Sequence, residues 1–308
     1  TPTAATDVFA IDSLDGTPLP SWDSGFPVDM ALMRYNVDIS DDTQIASRLL
    51  SGRQLLTDTS AAESNNALHT FDFMAGWGSR TSTTANWYSW MFRRAPGFFD
   101  VVAYTGDGNT YQTITHNLGA VPQFIIGKRR DGTSDWVAYY GSGLYNVFLN
   151  LDASITGLLG ITKTGSAGSA IDSITQFDVT KQAGGNASKS LNTSGEEYVL
   201  YIFGSLDGIS KVGTYSGTGS DINVDCGFTS GARLVIVKRT DSSGDWYFWD
   251  TTNGIVAGDD PYLLLNTSDR NVTNTDYIDP LSSGFTITSN AQSDLNTSGG
   301  TYLFLAIA

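Results

Sequence analysis

One block of this chain is written twice. Residues 211–219, Lys-Val-Gly-Thr-Tyr-Ser-Gly-Thr-Gly, lie under 100–108, Asp-Val-Val-Ala-Tyr-Thr-Gly-Asp-Gly, and 232–241 lie under 122–131. Tyr104 and Tyr215, Gly108 and Gly219, the pairs Lys128-Arg129 and Lys238-Arg239, and Trp136 and Trp246 all recur. The tyrosines and glycines are 111 residues apart and the tryptophans 110, so one loop deletion separates two parallel copies. Self-similarity at a fixed period marks a string of like modules, and any fold for this chain must be one unit built several times.

A third, divergent copy comes first. The run Phe26-Pro-Val-Asp-Met-Ala-Leu-Met-Arg-Tyr35 falls under 122–130 with one gap, and Arg34 takes the place of Lys128. Arg53-Gln-Leu-Leu-Thr-Asp-Thr-Ser60 parallels Val147-Phe-Leu-Asn-Leu-Asp152 and Leu263-Leu-Leu-Asn-Thr-Ser268. A closing strand recurs as Trp87-Tyr-Ser-Trp-Met-Phe92, Tyr198-Val-Leu-Tyr-Ile-Phe203 and Tyr302-Leu-Phe-Leu-Ala-Ile307. The expected organisation is an extended lead-in over 1–21, poor in apolar period and turn-rich, then modules over 22–97, 98–207 and 208–308. The copies differ most over 36–46, 154–170 and 250–261, where a common scaffold would carry individual behaviour.

The 33 glycines, many Ser, Thr, Asn and Asp, and 12% aromatics against 16% charged residues describe short strands joined by tight turns. Leu234-Val-Ile-Val237 and the closing strand are apolar on both faces, which suits central strands covered by a second sheet on one side and by a neighbouring module or subunit on the other. The predicted fold is all-β, made of tandem antiparallel β-sandwich modules of jelly-roll-like kind, three related copies with the first divergent. The closing strand's need for cover on both faces predicts a homo-oligomer, most simply a homotrimer.

Composition also limits the chemistry. A formal charge of -15 argues against a nucleic-acid partner. Two histidines and one cysteine, Cys226, cannot supply a zinc site of usual spacing or a disulfide within the chain. No apolar run is long enough for a membrane-spanning helix, and the first residues lack a signal peptide's pattern, so membrane insertion is not expected. The absence of an initiator Met points to a processed chain or to one piece of a longer polypeptide. No cofactor is implied.

Aromatic side chains can stack on sugar rings, but Trp136, Trp246, Tyr104 and Tyr215 recur and read first as core. Trp77, Tyr139, Tyr140 and Trp249 remain as candidates for glycan contact. Lys128-Arg-Arg130 and Lys238-Arg239, each followed by an aspartate, read as solvated hairpins whose charges guard a sheet edge. Asp107, Asp259 and Asp260 carry hard oxygen ligands in tight turns and are weak calcium candidates, none matching a twelve-residue calcium loop. His69 and His116 read as satisfied polar groups. The 32 acids make carboxylate pairs inevitable, and no triad or phosphate-loop motif accompanies them, so an enzyme is not expected.

The run Trp87-Tyr-Ser-Trp-Met-Phe-Arg-Arg-Ala-Pro-Gly-Phe-Phe-Asp-Val-Val-Ala-Tyr-Thr-Gly106, the strand Pro122-Gln-Phe-Ile-Ile-Gly-Lys-Arg-Arg130 and the ending Gly299-Gly-Thr-Tyr-Leu-Phe-Leu-Ala-Ile-Ala308 together resemble a repeat family of tailed-bacteriophage virion proteins, of tail-fibre or receptor-binding type. The resemblance covers almost everything from Trp22 onward. It departs in the first copy, where Val28 separates Pro27 from Asp29 and Arg34 replaces a lysine. It implies a structural or adhesive component on the virion exterior, on the tail rather than the head, C-terminal in its polypeptide, whose partners are other copies, other virion proteins and a host-surface glycan or protein. It transfers no catalytic residues. A capsid decoration or head-surface protein, and a glycan depolymerase of the tail, are the alternative readings.

Overall fold

The computed structural model of the chain describes residues 1–14, 19–35, 39–66, 68–79, 86–141, 146–154, 160–166, 168–182, 184–291 and 293–308. Of the loops expected to vary, 36–38, 155–159 and 167 lie outside the described residues. Among the described residues the strands fall into three sets of eight. The first holds β1 (Phe9–Ser13), β2 (Trp22–Asp23), β3 (Met30–Tyr35), β4 (Gln44–Ser47), β5 (Gln54–Leu56), β6 (His69–Thr70), β7 (Gly76–Ser79) and β8 (Trp87–Phe92). The second holds β9 (Phe99–Thr105), β10 (Tyr111–Thr115), β11 (Phe124–Arg129), β12 (Val137–Tyr140), β13 (Asn146–Phe148), β14 (Ile161–Thr162), β15 (Gln176–Thr180) and β16 (Glu197–Phe203). The third holds β17 (Ser210–Ser216), β18 (Ile222–Asp225), β19 (Leu234–Arg239), β20 (Trp246–Asp250), β21 (Leu263–Leu264), β22 (Ile278–Leu281), β23 (Gly284–Ile287) and β24 (Thr301–Ile307). No described helix is long and apolar enough to cross a membrane.

Each set makes a five-stranded sheet and a three-stranded sheet with one topology. The larger sheets run β1-β8-β3-β4-β5, β9-β16-β11-β12-β13 and β17-β24-β19-β20-β21, and the smaller ones β2-β7-β6, β10-β15-β14 and β18-β23-β22. Every pairing is antiparallel. The predicted all-β fold of three related sandwich modules is therefore what the chain adopts. One expectation needs correction: the lead-in over 1–21 contains β1, which pairs with β8 from Phe9 opposite Phe92 to Ser13 opposite Tyr88, as β9 pairs with β16 and β17 with β24. Its apolar signal is only Phe9, Ala10 and Ile11, too short a run to show a period.

The apolar-on-both-faces strands now have a physical account. Side chains alternate across a strand, so each large sheet offers two faces. In β24, Tyr302, Phe304 and Ala306 face the small sheet of their own module, while Leu303, Leu305 and Ile307 join a different cluster. In β16, Tyr198, Leu200 and Ile202 pack inside the module and Val199, Tyr201 and Phe203 join that same second cluster. Trp90 and Phe92 of β8 complete it, with Met91 turned into the first module's own core. The three large sheets therefore bury their backs against one another around a shared apolar centre. Trp90 meets Phe248 edge-on at 4.8 Å between ring centres, and Phe124 meets Trp246 at 6.1 Å, each contact joining two modules.

Full burial of a residue such as Leu, Ile or Phe stabilises by about 1.5–3 kcal/mol, so this centre is a large share of the fold's stability. The cover that the closing strand was expected to take from a neighbouring module or subunit comes from the other modules of the same chain. The premise of the homotrimer expectation is thus met by three modules in one polypeptide.

Turns repeat as faithfully as strands. Tyr104 Oη donates to the Leu191 carbonyl at 2.7 Å and Tyr215 Oη to the Leu295 carbonyl at 2.8 Å, which ties the identical Leu-Asn-Thr-Ser-Gly segments to their sheets. A Cβ at Gly106 would lie 2.2 Å from the Thr193 carbonyl oxygen, and one at Gly217 would lie 2.1 Å from that of Thr297. Both glycines recur because backbone passes too close for any side chain.

Candidate functional site

A second group of recurring residues meets where modules meet. Lys128, at the end of β11, is fully buried, and its Nζ donates across the seam to the Ser60 carbonyl of module one at 2.9 Å and to the Ser134 carbonyl of its own module. Trp136 Nε1 crosses the same seam to the Leu56 carbonyl at 2.8 Å. Modules three and two repeat this: Lys238 Nζ donates to the Asp152 carbonyl at 2.9 Å and to the Gly244 carbonyl, and Trp246 Nε1 to the Phe148 carbonyl at 2.9 Å. Ser60 and Asp152, and Leu56 and Phe148, are matching repeat positions.

Behind each tryptophan stands an asparagine. Asn150 Oδ1 accepts Trp136 N–H at 2.8 Å while its Nδ2 donates to Asp135 Oδ1 at 3.1 Å. Asn266 does the same for Trp246 at 2.8 Å and for Asp245 at 2.7 Å.

The chemistry suits the place. A strand end in a closing seam leaves backbone carbonyls that would otherwise lose their water, and an ammonium or an indole N–H satisfies them. Burial pushes the Lys128 and Lys238 ammonium groups down to about 8. The reading of these lysines as solvated edge guards is therefore corrected: the neighbouring module, invisible in a local pattern, covers them. The arginines divide. Arg129 and Arg239 pair with Asp131 and Asp241 in their hairpins at 2.8 and 3.0 Å, as expected. Arg130 crosses to the buried Glu63 of module one at 2.9 Å, and Glu63 also takes Arg53 at 2.8 Å.

The third seam, from module one to module three, closes the ring with different residues. Arg34 stands at the lysine position, fully buried, and its Nη2 donates to the Ser268 carbonyl at 3.2 Å and to that of Asp269. Thr43 stands at the tryptophan position and accepts Arg34 Nη1 at 3.1 Å. Asp58 replaces the asparagine, and Asp42 stands where Asp135 and Asp245 do. An amide facing a carboxylate has become two carboxyl groups, and burial together with the Asp42 charge raises Asp58 to about 6. Leu264, the counterpart of Leu56 and Phe148, borders instead a cavity of about 580 Å³ that the loop 269–274 completes. Asn271 lines it at 7% exposure, and its Oδ1 has no hydrogen-bond partner among the described residues.

The aromatic candidates for glycan contact lie elsewhere and mostly inside. Trp77 is fully buried between Trp22 and Phe71, 4.6 and 5.1 Å between ring centres, with its Nε1 on Ser89 Oγ. Trp249 is fully buried beside Tyr247 and Tyr262. Tyr139 is buried and fixes a turn through the Gly141 carbonyl and Ile171 N–H. Tyr140 is half-buried and packs on the shared centre. Core packing takes the first three out of a sugar's reach, and the four do not form one surface.

The calcium candidates are likewise engaged or apart. Asp107 accepts Asn109 N–H and Asn192 Nδ2, holding its turn. Asp260 is buried, accepts the N–H groups of Tyr277 and Ile278, and is raised to about 7 by burial. Asp259 is exposed. Among the described residues no three His, Cys, Asp or Glu side chains cluster as metal ligands. His69 is buried with Nε2 on Gln54 Oε1 and is pushed down to about 4 by desolvation; His116 Nδ1 accepts Leu118 N–H.

The residues that sequence reasoning missed are Asp58 and Asn271. Asp58 could have been found, since it falls opposite Asn150 and Asn266 in the repeat. Asn271 has no such signal.

No curated protein matches the chain. A family model described as a domain of unknown function, DUF7483, matches residues 57–308, more than half of the chain and all of its second and third modules. The chain belongs to that family.

Proposed function

We propose that this chain is a structural and adhesive component of a tailed-phage virion, carried on the tail exterior and contacting the host surface. The observation that carries the reading is the direction of its chemistry. The lysines and tryptophans that recur donate across the seams between modules, each tryptophan held by an asparagine of its own module, so this part of the repeat serves assembly, and individuality is left to loops such as 269–274. A rigid block with variable loops suits display to a partner. The strong negative charge and the resemblance of the strand motifs to phage virion repeats agree with it. Its partners on this reading are other virion proteins and a host-surface glycan or protein.

Gold-labelled antibody against the chain, applied to intact virions, tests the position: label on the tail is the expected result, and label confined to the head would replace this reading with that of a head-surface protein. Release of reducing ends from host envelope glycan by the purified chain would overturn the non-enzymatic part.

A further inference from the structure

A small cavity lies at the shared centre, walled by all three modules. It measures about 20 Å³, and its wall is apolar throughout, with Leu32 and Phe92 of module one, Ile126 and Phe203 of module two, and Ile236 and Leu305 of module three on it. Leu32, Ile126 and Ile236 are one position of the repeat, opposite Trp90, Tyr201 and Leu305 on the closing strands. They keep 5, 8 and 7% of their surface exposed. Two residues earlier, Met30, Phe124 and Leu234 keep 2, 1 and 0%, and two residues later Arg34, Lys128 and Lys238 keep none. The exposure is confined to one level of the centre with a closed level on either side, so it belongs to the cavity and not to the outer surface.

The space follows from the way three sheets meet. Each central strand offers one branched aliphatic side chain at this level, and none of the three can fill the middle without displacing the other two. The sheets cannot close further, because Trp90 against Phe248 and Phe124 against Trp246 already hold them in ring contact. A cavity takes a water from roughly 10–15 Å³ upward, but that water needs two to four polar partners. This wall offers none, so chemistry and not size keeps water out. Atoms that line a void forfeit dispersion contact on that side, and a guest that gives up no hydrogen bonds on leaving water restores it.

We infer that the cavity between Leu32, Ile126 and Ile236 is a dry site for one small nonpolar gas molecule, of the size class of dioxygen or dinitrogen. Nothing in the site depends on what the chain adheres to.

The test places the full chain, with labelled Leu, Ile and Val methyl groups, under dioxygen pressure and reads their proton relaxation by NMR, with dinitrogen as the diamagnetic control. The methyl groups of Leu32, Ile126 and Ile236 are expected to relax several-fold faster than those of Val179 and Ile287, which are fully buried in the cores of single modules. A charged gadolinium chelate, too large and too polar to enter, should leave all of them unaffected. Leu32→Phe puts a ring into the space and should bring Ile126 and Ile236 to the level of Val179 and Ile287 without lowering the urea midpoint. If that ring overpacks and the midpoint falls, Ile126→Ala, which enlarges the space, should raise the enhancement at Ile236. Three results overturn the assignment: no excess relaxation over Val179 and Ile287, an excess that Leu32→Phe leaves intact or Ile126→Ala fails to raise, or equal relaxation by the chelate, which would mean a space open to bulk water.

Discussion

At Asp58 a single difference between the repeat copies predicts a stability that depends on pH. Its counterparts Asn150 and Asn266 donate an amide hydrogen to Asp135 and Asp245, whereas Asp58 faces Asp42 with a carboxyl group raised to about 6. A carboxyl raised in the folded state binds its proton more tightly there than in the unfolded chain. The stability it contributes is therefore complete below about pH 4, its unfolded range, and is lost as pH rises through about 6. Asp58→Asn restores the donor and removes the second charge. The variant is expected to exceed the natural chain by about 1 kcal/mol at pH 7.5, with the difference shrinking as pH falls to 4, as measured by urea unfolding. Asp260, raised to about 7, slopes in the same direction but is common to both chains and cancels in the comparison. A difference that stays constant with pH would show that the Asp58 carboxyl is not raised in the folded chain.

The strand-end lysine and the strand-leading tryptophan act as a unit, and the seam they build can be weakened without touching a module's own core. Trp246→Phe keeps an aromatic ring in the shared centre but strands the Phe148 carbonyl, and is expected to cost about 2 kcal/mol in urea unfolding. Trp136→Phe, losing its bond to the Leu56 carbonyl, should cost about the same, because both seams are built alike. An unchanged midpoint in either variant would show that the indole bonds add nothing. The strands themselves were legible in the sequence, since Leu234-Val-Ile-Val237 and its two relatives showed apolar residues on both faces and the repeat fixed their order. The role of Lys128 and Lys238 was not, because a strand-end lysine before an Asp turn looks alike whether water or another module's carbonyl lies above it. Trp77, Tyr139 and Trp249 show the same limit: residue type names what a ring can do, and only three-dimensional packing tells which rings can be reached. β1 escaped because a five-residue edge strand with three apolar residues has no period to detect.

Taken whole, the molecule is a ring of three modules in which each gives and receives. Module two supplies donors at Lys128 and Trp136 to module one and acceptors at Phe148 and Asp152 to module three, so it carries both halves of a head-to-tail interface. Head-to-tail interfaces close into rings when the rotation between units permits, and here it closes at three. A module cut free would expose the face that now meets the shared centre, including Val101, Phe124, Ile126, Val199, Tyr201 and Phe203. That surface is too apolar to remain open to water, and the partner it fits best is another copy. Residues 98–207 produced alone are therefore expected to assemble into a trimer, with Trp136 of each copy on the carbonyl of Phe148 in the next, while the full chain, its centre already filled, sediments as a monomer. Sedimentation velocity on both decides the matter. A stable monomer of the single module would mean that its own two-sheet core suffices and that the shared centre is not what holds the ring, whereas a trimer of the full chain would point to a second self-complementary surface outside the seams.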